Sequence, residues 1–242
     1  MNLYIYDDYL KKYKKTLNNL EIQLHNLNLN GKIINLENVK KLDQAIKDEI
    51  NMGIKTIVAV GNNRTLNKVL NAILNNNEIS ASNLSLGIIP IGGNNSIAEA
   101  LGIKNDIAAG EIILARRLEK INIAKANNTY FISEANIRAK GTTLHLENFT
   151  IDSTQSGQIR LINLLTDKSS SQNIKSDPQD GLIDLYIYNS PKKQSFFSIK
   201  RIEIENTTQK ILIDNSIEIN CPAKIEQIDQ KISLIVSKSR LF

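Results

Sequence analysis

The chain has 242 residues, 41% hydrophobic, 23% charged and 5% aromatic, which is enough apolar material for one large or two small cored domains and excludes a disordered chain. Its formal charge of +5 admits a nucleotide, a phospholipid headgroup or a nucleic acid as partner without choosing among them. The single cysteine, Cys221, excludes an internal disulfide framework and reads as a core thiol, and His25 and His145 are too far apart to suggest a soft-metal cluster.

Residues 1 to about 120 alternate strand and helix. A first strand, "LYIY", is followed by Tyr6, Leu10, Tyr13, Leu17, Leu20, Leu24 and Leu27 at alternating four- and three-residue spacing, which predicts one apolar helix stripe. Inside an alternating pattern that stripe covers a sheet in preference to forming a coiled-coil seam. Lys11, Lys12, Lys14 and Lys15 lie mostly off it and form a solvated face, with membrane docking as the competing use. The strands "KIINL", "KTIVAV" and "LGIIPI" and the helices "VKKLDQAIKDEINMG", "TLNKVLNAIL" and "SIAEALGI" continue the pattern. Strands this apolar, separated by helices, predict a mostly parallel sheet covered on both faces.

After Lys120 the spacing changes to short alternating runs: "INIAKA", "TYFISEANI", "TTLHLENFTID", "QIRLINLL", "LIDLYIYN", "FSIKRIEIE", "KILID", "SIEIN" and "KISLIVS". They predict an all-β antiparallel sandwich. The polar stretch Thr166 to Gly181 has no apolar period and is expected to be a mobile loop. The expected architecture is an α/β N-terminal domain, 1–119, followed by an antiparallel sandwich domain, 120–242, with a ligand expected between them.

Two strand-to-helix loops carry the chemical signal. "GNNRT" contains Gly61, Asn62, Asn63, Arg64 and Thr65; "PIGGNNS" contains Gly92, Gly93 and Asn95. Such a loop aims backbone N–H groups and the positive helix end at an anion, and glycine lets a phosphate approach. Taken alone, each loop reads equally well as an ordinary βα turn.

In order and context the two loops resemble the catalytic domain of the diacylglycerol kinase family of lipid kinases, which shares its fold with NAD kinases. That family writes GGDGT followed by TLNEV, where this chain has GNNRT followed by "LNKVLN"; it writes LGIIPLGTGNDFARALGI, where this chain has "LGIIPIGGNNSIAEALGI". "RRLEKINIAKANNTYFIS", "DGLIDLYIY" and "RIEIE…KILIDNSIEI" resemble later family segments. The resemblance implies ATP- and Mg²⁺-dependent phosphoryl transfer to a lipid hydroxyl, with nucleotide at Gly61–Thr65 and Gly92, Gly93 and Asn95, a general base at Asp214 and a metal ligand at Asp180. Locally, Asp214-Asn215 also reads as a tight hairpin turn, Asp180 as a loop-exit carboxylate and Asp184 as a solvent-facing strand residue.

Three family motifs are altered. Asn63 replaces the GGDGT aspartate, Asn62 and Arg64 replace its neighbouring glycines, and Ser96 replaces the aspartate after Asn95. "YDDYL" occupies the place of the family's NPxSG element. An amide brings no charge to Mg²⁺, so catalysis is expected to be weakened, the alternative being a noncatalytic pseudokinase that binds a nucleotide or phosphorylated ligand. Arg64 either stands beside phosphates as a cation or is solvated. No aromatic interleaving or recognisable module supports nucleic-acid binding. No apolar run reaches the roughly 20 residues of a membrane span, and no signal-peptide pattern opens the chain. A cytoplasmic protein is expected, with peripheral membrane contact through a lipid substrate, and homo-oligomerisation stays open.

Overall fold

The computed structural model describes residues 1–167, 174–190 and 193–242. The expected mobile loop, 166–181, therefore lies partly outside the described residues. The chain divides into two compact units, Met1–Ile121 with Lys231–Leu241, and Asn122–Gln230.

The first unit opens with β1 (Asn2–Tyr6), a 3₁₀ turn (Asp8–Tyr13) and α1 (Lys14–Asn26). Then come β2 (Gly31–Asn35), α2 (Leu42–Asn51), β3 (Thr56–Gly61), α3 (Asn63–Leu74), β4 (Ser85–Pro90), α4 (Ser96–Ala100) and α5 (Asp106–Ala115). The sheet order is β2-β1-β3-β4, every pair parallel. All six residues of β3 and of β4 are buried, as continuous apolar runs require when helices cover both faces. The edge strand β2 is mostly exposed instead, with Ile33 open to solvent. Of the apolar stripe, Leu10, Leu20 and Leu24 are buried, but Tyr6 belongs to β1 and the first turns are 3₁₀, so the stripe is not one helix. Helix α5 was not anticipated: its residues are apolar on all sides, which removes the period that marks an amphipathic helix.

The second unit holds the antiparallel strands. Leading in from the first unit is β5 (Leu118–Ala126), followed by β6 (Thr129–Phe131), β7 (Glu134–Arg138), β8 (Thr142–His145), β9 (Thr150–Ser153) and β10 (Gln158–Ile162). The chain continues with β11 (Ile183–Ser190), β12 (Lys193–Ile199), β13 (Arg201–Glu205), β14 (Lys210–Ile213), β15 (Ile217–Asn220) and β16 (Ala223–Ile235). One six-stranded antiparallel sheet runs β12-β11-β10-β7-β14-β15. Its inward residues, among them Ala135, Ile137, Ile159, Leu161, Leu185, Ile187, Ile211 and Ile213, meet Leu144, Ile202, Ile204 and Ile225 in one apolar core. This is the alternation that the sequence displays. Cys221 is half-buried against the same core, and burial pushes its thiol up.

The last strand departs from the antiparallel pattern. The start of β16 pairs antiparallel with β13, whereas Ser233 and Leu234 pair parallel with Ser85 and Leu86 of β4. "KISLIVS" therefore closes the parallel sheet of the first unit. No helix among the described residues is long and apolar enough to cross a membrane.

Candidate functional site

Both loops leave the C-terminal ends of adjacent parallel strands, so β3 and β4 place them side by side. Ile91 N–H donates to Gly61 O at 2.9 Å, and Asn63 N–H donates to Asn94 O at 3.0 Å. Asn62 caps α3: its side-chain oxygen accepts from Arg64 N at 3.1 Å and Thr65 N at 3.3 Å, and its own N–H donates to Thr65 Oγ1 at 3.3 Å.

The substituted residue Asn63 is fully buried. Its amide Nδ2 donates to Ser96 Oγ at 2.9 Å and Asn94 Oδ1 at 3.2 Å, and its Oδ1 accepts from Ile97 N at 3.2 Å. An amide suits this place because it donates and accepts at once, which a carboxylate does not. Asn63 and Ser96, the two residues standing where the family has aspartates, thus bond to each other and fasten the second loop to the first.

Four further residues converge here that motif comparison missed. Thr65 Oγ1 donates to Asp7 Oδ2 at 2.8 Å, and Lys68 Nζ sits 3.1 Å from both Asp7 oxygens. The Asp7 carboxylate, only 6% exposed, is thereby neutralised inside the protein. Tyr9 donates its hydroxyl to Ile91 O at 2.7 Å, and burial pushes that hydroxyl up to about 12. Tyr9 and Tyr13 pack edge to face with centroids 6.2 Å apart, and both lie against Gly92. For Asp7 and Tyr9 the signal in the sequence was positional: "YDDYL" stands where the family's NPxSG element would be.

Gly61 and Gly92 serve different ends. A Cβ on Gly61 would lie 2.2 Å from Thr65 Oγ1, and one on Gly92, at φ +86°, would meet Tyr13 Oη at 3.2 Å. Gly61→Ala is therefore expected to push Thr65 off Asp7 and cost about 2–4 kcal/mol, measured by urea denaturation. A cost below about 0.5 kcal/mol would show that the β3–α3 turn yields freely. Gly93 has open space around it, and Arg64 is exposed at the start of α3. Asn95 Nδ2 donates to Gly92 O at 2.7 Å, while its Oδ1 is buried with no hydrogen-bond partner among the described residues.

The remaining candidates lie in the second unit. Asp214 is fully buried and its carboxylate accepts from Ser133 N at 2.7 Å, Glu134 N at 3.0 Å and Ile132 N at 3.1 Å. Burial drives its pKa upward against the lowering effect of those N–H bonds. Asp214 and Asn215 have φ of 48° and 53°, and Ser216 N–H donates to Ile213 O at 2.9 Å, a tight turn with both central residues left-handed inside the three-residue connection between the paired Ile213 and Ile217. Asp180 is exposed and accepts from Leu182 N at 2.8 Å. Asp184 does not face solvent as expected: it is 6% exposed and accepts from Ser198 Oγ at 2.9 Å. Ile174 and Lys175 lie on that sheet face, where Tyr186 Oη donates to Lys175 O at 2.8 Å. Burial, and then the bond from Ser198, set the Asp184 pKa, with the net direction upward.

The two loops by themselves do not fit a bound Mg²⁺. Asn63 is an amide, Asp7 is taken by Lys68 and Thr65, and no group of three or more His, Cys, Asp or Glu among the described residues could hold a metal. A nucleotide fits better, because the unsatisfied Asn95 oxygen can accept from an amino or hydroxyl group and Gly93 leaves room.

A parallel α/β unit with two glycine-bearing loops, followed by an antiparallel unit, defines the fold shared by diacylglycerol kinases and NAD kinases. A diacylglycerol kinase structure from Bacillus anthracis superposes with TM-score 0.76 over 99% of this chain and 98% of that one, at 17% identity. An NAD kinase from Archaeoglobus fulgidus in complex with ATP gives TM-score 0.58 over 99% of this chain and 95% of that one, at 12% identity. Residues 7–126 match the family model described as the diacylglycerol kinase catalytic domain. That segment belongs to the diacylglycerol kinase catalytic-domain family. The chain is 29% identical to a diacylglycerol kinase of Staphylococcus saprophyticus over 124 residues, 51% of this chain and 39% of that protein. It is 39% identical to one of Staphylococcus aureus over 80 residues, 33% of this chain and 24% of that protein. The matched region thus spans well under half the length of these relatives.

Proposed function

We propose that the chain is a diacylglycerol kinase-like protein that binds ATP at the Gly61–Thr65 and Gly92–Asn95 loops and transfers its terminal phosphoryl group to a lipid hydroxyl at a reduced rate. Family membership of residues 7–126, with both loops side by side at the ends of β3 and β4, carries this reading. Arg64, exposed at the start of α3, is the cation proposed to meet phosphate charge. Asp214 is the proposed base and Asp180 the proposed metal ligand. A reduced rate is expected because charge neutralisation dominates phosphoryl transfer and Asn63 supplies none. The protein works in the cytoplasm, touching membranes peripherally when it meets a lipid substrate.

A second reading, a noncatalytic module that senses a nucleotide, is favoured by the way Asn63, Ser96, Thr65 and Asp7 satisfy one another inside the protein. Calorimetric titration with ATP, with and without Mg²⁺, separates these readings when paired with a lipid phosphorylation assay. The expected result is binding that Gly93→Asp abolishes, since that position is open and the variant places a carboxylate where phosphate would lie. Binding without turnover selects the sensor; no binding at millimolar ATP removes both.

A further inference from the structure

Three turns of the second unit, β7–β8, β9–β10 and β13–β14, surround an open cavity of about 480 Å³. Arg138, Lys140, Ser156, Thr207, Thr208 and Gln209 line it. Strand register separates this place from the proposed base: Gln158 pairs with Arg138 at this end of β7, while Ile162 pairs with Glu134 at the other end, where Asp214 is bound. Hydrogen bonds fasten the three turns together. Ala139 N–H donates to Gly157 O at 2.9 Å and Gly141 N–H to Ser153 O at 2.8 Å, which joins the first turn to the second. Asn206 joins the first to the third: its Nδ2 donates to Thr142 Oγ1 at 2.8 Å, and its Oδ1 accepts from Thr208 N and Gln209 N, each at 2.8 Å. The cradle thus keeps its shape without a ligand, which lowers the cost of binding one.

The lining selects the occupant. It holds two cations with hydroxyl and amide groups, and it has no carboxylate, aromatic ring or large aliphatic side chain. A cation would find no charge partner there, and an apolar molecule no side chain to pack on. A nucleic-acid strand calls for a longer row of cations and for rings on which bases stack. A phosphate group matches what is present. The Arg138 guanidinium is a fork for two phosphate oxygens, Lys140 adds a second charge, and the hydroxyls of Ser156 and Thr207 can donate. Arg138 and Lys140 are exposed, so a ligand reaches both. Neither is ion-paired among the described residues, whereas Arg160, Arg201, Lys210 and Lys224 of the same unit each face a glutamate. We propose that this cradle binds a small phosphomonoester, its phosphate between Arg138 and Lys140 and its organic part towards Gln209. The same phosphate chemistry occurs in soluble glycerol 3-phosphate and in the headgroup of a phosphatidate lipid. The proposal is independent of the kinase reading.

The test is an amide chemical-shift titration of the ¹⁵N-labelled chain with glycerol 3-phosphate and with glycerol, at constant ionic strength in chloride. Glycerol 3-phosphate is expected to shift the amides of residues 138–141, 156–157 and 207–209 saturably, and glycerol is expected to leave them in place. Arg138→Gln and Lys140→Gln should each weaken the phosphoester by about tenfold. Lys200→Gln, which removes the same charge from an exposed position outside the cradle, should leave its affinity unchanged. All three positions are exposed, and an unaltered spectrum away from the substitution verifies that each variant is folded. Co-sedimentation with phosphatidate-containing vesicles, lost in Arg138→Gln and kept in Lys200→Gln, identifies the source as a headgroup; glycerol 3-phosphate binding without co-sedimentation identifies it as a soluble compound. No saturation by glycerol 3-phosphate, saturation by glycerol, shifts centred on residues 61–65 and 92–95 instead, an unaffected Arg138→Gln, or equal weakening by Lys200→Gln overturns the proposal.

Discussion

Asp214→Ala is expected to lower the stability of the protein by about 3–5 kcal/mol, because it strands three buried backbone N–H groups at once. For a chain of this size the melting temperature should fall by about 10 °C, read by circular dichroism. Asp214→Asn should cost about half as much: its single oxygen can keep the bonds from Ser133 and Glu134, while its NH₂ faces the N–H of Ile132. Ile132 and Ser133 lie between β6 and β7 and Glu134 opens β7, so the carboxylate holds the β14–β15 turn onto the start of β7. The consequence for catalysis is direct. Loss of turnover in an Asp214 variant assigns the base only if the folded fraction, measured in the same preparation, is unchanged at the assay temperature. A melting temperature within about 2 °C of the parent for Asp214→Ala would show that the carboxylate is not the clamp described.

Asn63→Asp, which restores the family's carboxylate, should destabilise the protein by about 2–4 kcal/mol at pH 7. The substitution removes donors to Ser96 Oγ and Asn94 Oδ1 and buries a charge at a position with no exposure. The pH dependence follows from burial. A buried carboxyl has a folded pKa above its unfolded value near 3.9, so the variant should match the parent most closely below that pH and lose stability as pH rises through the folded value. Denaturation at pH 3.5 and pH 7, each compared with the parent, measures the difference. Addition of Mg²⁺ with ATP supplies a second arm. Recovery of stability at pH 7 would mean that one restored carboxylate rebuilds a metal-nucleotide site, whereas no recovery would mean that Ser96 and the Lys68-paired Asp7 also have to change. A variant as stable as the parent at pH 7 would show that Asn63 does not fasten the two loops.

The two substitutions bear on different parts of one question. Asn63 decides whether the loops can hold charge, and Asp214 decides whether the antiparallel unit keeps its shape. The amide at position 63 and the hydroxyl at position 96 share a 2.9 Å bond, so substitutions at the two positions are expected to be non-additive in stability.

The sequence by itself determined the class of fold, because both of its periods are local. Fully apolar runs such as "TIVAV" and "LGIIP" can only be strands covered on both faces, and the alternation of Ile211 with Leu212 and Ile213 can only present one face to a core. It also placed the two loops at the strand-to-helix turns, where glycine shows in the residue order, whereas the capping of α3 by Asn62 emerged only in the structure. Partnerships between distant residues were not legible, since no local period records them. Asp7 meets Thr65 across 58 positions and Asp214 meets Ile132 across 82. Helix α5, apolar on every side, lost its own signal, and Asp184 looked solvent-facing because nothing in its strand reveals the residues that bury it. The last strand shows the same division. "KISLIVS" reads as one more alternating strand, but its antiparallel or parallel pairing is set by which strand edge remains open, and the tertiary structure gives it the edge of β4.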